Sequence, residues 1–106
     1  MDDLIFEKTN TPVSQTQKEG ITSQVKAYGP NLCYRFSNLD IQEIGTREFE
    51  IRAKATNAGS KNGVACALAL YYIDTTIKIN ATTTGKYLLR FYNKQQLFKT
   101  DTVQVN

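Results

Sequence analysis

The side chains best suited to acid–base, nucleophilic and metal chemistry are sparse in this chain. Its 106 residues include no histidine, so neither a Ser-His-Asp nor a Cys-His arrangement can be assembled, and the commonest zinc and iron ligand is missing. Glu48 and Glu50 share one face of an extended segment, about 7 Å apart by strand geometry, which brings a glycosidase carboxylate pair to mind. Arg52 and Lys54 continue that face, however, and a solvated charged surface accounts for all four. Asp2 and Asp3 with Asp40 or Asp74 offer oxygen ligands to calcium, but no regularly spaced acidic loop occurs. The expectation is a protein that is not an enzyme, with no catalytic residue, no metal and no cofactor.

Cys33 and Cys66 have two readings. Free cysteine packs as a small hydrophobe; alternatively the two form a disulfide joining two strands across the core. Parity favours the pair, and neither a Cys-x-x-Cys spacing nor a histidine suggests metal or redox work. Closing a 33-residue loop would stabilise the fold by about 3 to 4 kcal/mol in the chain-entropy model, and would point to an oxidising compartment.

The aromatic residues are the third chemical resource. Most fall in the inward phase of strand-like segments and read as core. Tyr71, Tyr92 and Tyr34 remain candidates for a stacking platform if they prove exposed together. Among loops, the segment from Asn57 to Gly63, with Asn57, Lys61 and Asn62, the Gly45 to Arg47 turn and the Asn93 to Gln96 turn are candidates for contact, because loops on a rigid scaffold carry recognition.

The elements that must hold these residues are strands. From Arg47 to Thr56, Phe49, Ile51, Ala53 and Ala55 alternate with charged residues, the signature of a half-buried strand. Tyr87, Leu89 and Phe91 repeat the pattern, as do Ile77 and Ile79, Val103 and Val105, and Ile21 to Tyr28. Phe98 is out of phase with the valines, which predicts a bulge near Lys99 to Asp101. Leu4 to Lys8 is a short first strand, and Cys33 to Phe36 with Leu39 to Ile44 form one bent strand or two short ones. Val64 to Ile73 is apolar on both faces; its alanines allow a short helix, but its neighbours favour a central strand. Asn57 to Gly63 reads as a hairpin loop between the two best strands, its Asn62-Gly63 pair favouring a tight turn. Thr9 to Glu19 is polar and extended, with Pro12 barring it from a sheet interior.

About seven short strands separated by turns every 8 to 12 residues predict one all-β domain over residues 1–106: a β-sandwich of antiparallel sheets, with residues 1–20 partly extended. Hydrophobic residues make up 41% of the chain and charged residues 22%, a balance that supports a folded core rather than disorder. Net charge is +3, and the loose grouping of Lys86, Arg90, Lys94 and Lys99 lacks the stripe a phosphate backbone needs. No nucleic-acid partner is expected, although a small nucleic-acid-binding barrel stays open as a rival. No apolar run is long enough to span a membrane. Asn80-Ala-Thr82 is a formal N-glycosylation triplet.

Several runs together carry a family resemblance: Cys33-Tyr-Arg-Phe-Ser, Arg47-Glu-Phe-Glu-Ile-Arg-Ala-Lys-Ala, Cys66 in an apolar segment, Gly85-Lys-Tyr-Leu-Leu-Arg-Phe-Tyr and the closing Thr102-Val-Gln-Val. Over about residues 21–106 the chain resembles the small immunoglobulin-like lipoprotein domains of Bacteroidetes. That resemblance implies an immunoglobulin-like fold, export, and a periplasmic or cell-surface location. It also implies a membrane attachment only through a lipid-anchored cysteine upstream of Asp2 in the precursor. Asp74-Thr75-Thr76 and Asp101-Thr102-Val103 resemble the O-glycan attachment sites of that phylum. The resulting expectation is a non-catalytic envelope domain contacting a protein or glycan at the cell surface, with a tyrosine-based carbohydrate-binding module as the alternative.

Overall fold

One-sided burial of alternating side chains sets the architecture. In the computed structural model, which describes residues 2–57 and 66–106, nine strands follow one another. They are β1 (Asp2–Asp3), β2 (Ile5–Asn10), β3 (Ser14–Gln15), β4 (Ile21–Gly29), β5 (Tyr34–Gly45), β6 (Glu48–Asn57), β7 (Tyr71–Ile79), β8 (Gly85–Asn93) and β9 (Gln96–Val105). Strands account for 71% of the structure and no helix occurs among the described residues, so a site must be built on sheet faces, sheet edges or loops.

Two sheets form. In the six-stranded one, β6 is the hub. One edge pairs along its length with β5; the other pairs with β8 in its first half and with β1 in its second. β9 follows β8, and β3 lies against the end of β9. The second sheet has the order β2-β4-β7. Most pairs are antiparallel, as expected. Two are not: β6 with β8, and β3 with β9, run parallel, because β3 and β8 each arrive from the other sheet rather than through a hairpin.

Both sheets give their inner faces to one apolar layer. β4 and β7 contribute Ile21, Val25, Ala27, Ile77 and Ile79; β6, β8 and β9 contribute Ile51, Ala53, Ala55, Tyr87, Leu89, Phe91, Val103 and Val105. The alternations read from sequence in those strands hold. Phe6 from one sheet meets Phe91 from the other edge-on, with ring centroids 5.2 Å apart, the arrangement aromatic quadrupoles favour.

The N-terminal segment stitches the sheets together. It starts in the six-stranded sheet as β1 and crosses at Leu4, which is fully buried and donates its N–H to Ala53 O at 2.8 Å. It then runs in the smaller sheet as β2 and returns as β3. Asp101 of β9 secures the return: its Oδ2 accepts from Thr9 Oγ1 at 2.7 Å and Thr11 Oγ1 at 2.6 Å, while Lys99 Nζ lies 3.2 Å from Oδ1. Thr11 Oγ1 is also 2.6 Å from Ser23 Oγ on β4. A carboxylate that is only 8% exposed is tolerable because those donors replace water.

Three expectations need correction. The apolar run from Val64 to Ile73 is not a central strand. Val64 and Ala65 lie outside the described residues, Ala67 to Leu70 are exposed and outside any strand, and the strand begins at Tyr71 and forms the border of the smaller sheet. Asn57 to Gly63 does not close a hairpin, since β6 and β7 belong to different sheets; its residues from 58 onward lie outside the described ones. The bulge in β9 falls one residue early: Tyr92 pairs with Leu97 and Phe91 with Lys99, leaving Phe98 as the extra residue. Residues 34 to 45 form one strand, bulged at Ser37 and near Ile44.

Replacing Phe91 by alanine should cost about 3–5 kcal/mol, measured as a lower urea midpoint with little change in slope. Asp101→Ala should cost about 2–3 kcal/mol by orphaning the threonine hydroxyls, and Asp101→Asn less.

Candidate functional site

Three surfaces bear on function: the disulfide pole, the outer face of the six-stranded sheet, and the outer face of the three-stranded sheet.

At the pole, Cys33 and Cys66 are bonded, with Cα atoms 5.5 Å apart. They do not sit in core strands as the sequence suggested. Cys33 precedes β5 and Cys66 lies five residues before β7, so the bond clamps two connections rather than bridging the apolar layer. Leu32 N–H donates to Ala67 O at 3.1 Å beside it. Tyr34, Tyr71 and Asn57 gather here: Tyr34 pairs with Asn57, and Tyr71 pairs with Gly29. Gly29 is required, because a Cβ there would stand 2.7 Å from Tyr34 Cγ. Both tyrosines are half-buried against the core. Tyr71 is further engaged, since its hydroxyl accepts from Phe36 N–H at 3.0 Å and the Arg35 guanidinium lies 5.6 Å from its ring centroid. Lys61 and Asn62 lie outside the described residues.

Tyr92 is elsewhere, on the outer face of the six-stranded sheet, so it shares no platform with Tyr71 and Tyr34. Arg52 covers its ring at 4.6 Å. The same face carries Glu48 with Arg90 at 2.6 Å, Glu50 with Arg52 at 3.1 Å, and Lys54 with Asp3 at 2.6 Å; Arg52 Nε also donates to Lys94 O. A hollow of about 460 Å³ opens among Asp2, Asp3, Arg52, Lys54, Lys94 and Gln95, but three of its four strand charges already have partners within the protein. Each such partly exposed pair contributes on the order of 1 kcal/mol or less, and together they give every outward charge of β6 an opposite charge beside it. The two glutamates are thus members of a charged ladder, as the sequence indicated. No grouping of three potential metal ligands occurs among the described residues.

The three-stranded sheet is different. Its outward row comprises Lys8 and Asn10 on β2, Thr22, Gln24, Lys26 and Tyr28 on β4, and Tyr72, Asp74, Thr76 and Lys78 on β7. The registers Lys8↔Lys26, Asn10↔Gln24, Tyr28↔Tyr72, Lys26↔Asp74 and Gln24↔Thr76 set them side by side. Three hollows of about 300, 240 and 390 Å³ run across this face. Gln24 borders all three, Asp74 the first two and Thr76 the last two, so they form one trough. At one end Tyr72 is 47% exposed, its ring 6.0 Å from that of Tyr28 and 4.9 Å from Lys26 Nζ.

The side chains of Lys8, Asn10, Gln24, Asp74 and Thr76 make no hydrogen bond or ion pair with any other described residue. Amides, a carboxylate, an ammonium and a hydroxyl therefore stand with their hydrogen-bonding capacity unspent on a rigid frame. Sequence reading missed this face because Tyr72 was placed within the run ending at Ile73. The signal was present further on: Tyr71, Ile73, Ile77 and Ile79 alternate with Tyr72, Asp74, Thr76 and Lys78, which puts the latter four outward.

No protein family, curated protein or solved structure matches this chain.

Reduction of Cys33–Cys66 should lower stability by about 3–4 kcal/mol; urea denaturation with and without reductant checks this. Denatured, unreduced protein should give no thiol titre, and two free thiols in oxidatively refolded material would count against the bond. Arg90→Ala should shift stability by less than about 1 kcal/mol.

Proposed function

We propose that this protein is a non-catalytic recognition module of an extracytoplasmic compartment, an immunoglobulin-like β-sandwich that contacts a protein or glycan at the cell envelope. The observation that carries the reading is the contrast between the outer faces. One pairs the outward charges of β6 within its own sheet; the other presents Asn10, Gln24, Asp74 and Thr76 without a side-chain partner among the described residues, on a bulge-free β4/β7 register. Unspent polar groups on a fixed frame are suited to binding, because little ordering remains to be paid on association.

Two features support the rest. The disulfide fits an oxidising environment, where such bonds persist. The distribution of strands between sheets supports the immunoglobulin-like assignment: β2, β4 and β7 lie in one sheet, and β5, β6, β8 and β9 in the other, the partition of a variable-type domain. The chain departs from that pattern where β6 rather than β5 lies beside β8, and in parallel.

The reading is tested by sedimenting purified protein with cell-envelope fractions. Wild-type protein should co-sediment, Gln24→Arg should lose most of that binding by blocking the middle of the trough, and Arg90→Ala on the opposite face should retain it. Equal binding by Gln24→Arg would sink the assignment to this face. Binding that collapses between low and physiological salt would instead favour a polyanion partner.

A further inference from the structure

Resting on that reading, we infer that the ligand of the β2-β4-β7 face is a carbohydrate chain, lying along β4 and β7 with one sugar ring against Tyr72. The chemistry of the trough decides between sugar and protein. A protein interface is built around a desolvated apolar or aromatic centre from which charged residues are depleted. Here the centre is Gln24, Asn10, Asp74 and Thr76, with Lys8 of β2 and Lys26 of β4 beside it, and the aromatic pair stands at one end. Neighbouring sugar hydroxyls each donate and accept. Side-chain amides do both and a carboxylate accepts twice, so Gln24, Asn10 and Asp74 can each take two hydrogen bonds from one ring.

Dimensions agree. Successive outward residues on β7 are about 7 Å apart, so Tyr72, Asp74 and Thr76 mark out roughly 14 Å, long enough for a short run of rings laid end to end. The Tyr72 ring adjoins the trough through Lys26, whose ammonium sits 4.9 Å from the ring and which borders the first hollow together with Asp74. Tyr72 thus offers an apolar ring for sugar C–H bonds, and the trough beyond it reads the hydroxyls. Tyr92 plays no part, since β8 carries it on the outer face of the other sheet, beside Arg52.

The test combines an array of immobilised oligosaccharides, neutral and uronate-containing, with the envelope sedimentation assay. Because the chain has no tryptophan and six tyrosines, array hits are titrated by intrinsic tyrosine fluorescence. The expected result is binding to at least one sugar chain, weakened roughly tenfold or more by Tyr72→Ala, equivalent to the loss of one stacking contact. Asp74→Asn and Gln24→Ala should weaken it severalfold, and Tyr92→Ala should not. Circular dichroism on each variant verifies folding. Mild periodate oxidation of the envelope, which cleaves vicinal diols, should abolish sedimentation, while protease treatment should not.

Envelope binding that survives periodate but is lost to protease, and is still blocked by Gln24→Arg, overturns the sugar inference and leaves the recognition face standing with a protein partner. Sugar binding indifferent to Tyr72→Ala and Gln24→Ala overturns this site. No binding to native envelope or to any sugar overturns both.

Discussion

Everything in this molecule depends on burying one apolar layer between two sheets of unequal size. Each long strand contributes alternate residues to that layer, and the fully buried set from Leu4 to Val105 comes from both sheets. At about 25 cal/mol for each Å² removed from water, such a layer is the main favourable contribution to a domain of this kind. Once inward positions are committed to it, the intervening residues are released from core duty. Function can be written on them without disturbing the fold.

The two outer faces use that freedom in opposite ways. On the six-stranded sheet, two acidic and then two basic outward residues along β6 (Glu48, Glu50, Arg52, Lys54) meet Arg90, Asp3 and the Tyr92 ring, and the paired charges neutralise one another. Pairs of this kind add little stability, but they give each outward charge of β6 an opposite charge beside it. On the three-stranded sheet, cross-strand neighbours such as Asn10 with Gln24 and Gln24 with Thr76 are uncharged or mismatched in reach and do not close on each other. The difference lies in residue choice at equivalent outward positions, not in the backbone.

Much of the fold was legible because period-two alternation is a local property. Ile51, Ala53 and Ala55, or Tyr87, Leu89 and Phe91, announce their side of the sheet without knowledge of what covers them. What alternation cannot encode is which strand lies next to which. The parallel β6/β8 pairing, the crossing at Leu4 and the return through Thr9 and Thr11 to Asp101 are long-range choices. Nothing within a ten-residue window specifies them. The run Val64 to Ile73 misleads for a related reason: apolar composition alone does not dictate burial, and Leu68 is 93% exposed. Equating the two shifts the strand and hides Tyr72. Alternation therefore points the aromatic-platform idea at Tyr71 and Tyr92, which the structure places in different sheets.

The placement of the two cross-links explains why the three-stranded face can serve as a rigid template. A sheet of three strands is the smallest that a packed apolar face can make stable, so its ends need anchoring to stay stiff under a ligand. Here it is held at both ends. The disulfide fixes the connections leading into β5 and β7 at one pole, and the Asp101 latch ties β2 to β9 and, through Thr11 and Ser23, to β4. Between those anchors β4 and β7 pair over nine residues, from Ile21↔Ile79 to Gly29↔Tyr71, without a bulge. The anchors use Cys33, Cys66, Thr9, Thr11, Ser23 and Asp101, none of which borders the trough. Stiffness is thus supplied from outside the site, leaving Gln24, Asp74 and Thr76 preorganised yet uncommitted, the condition under which weak individual hydrogen bonds sum to useful affinity.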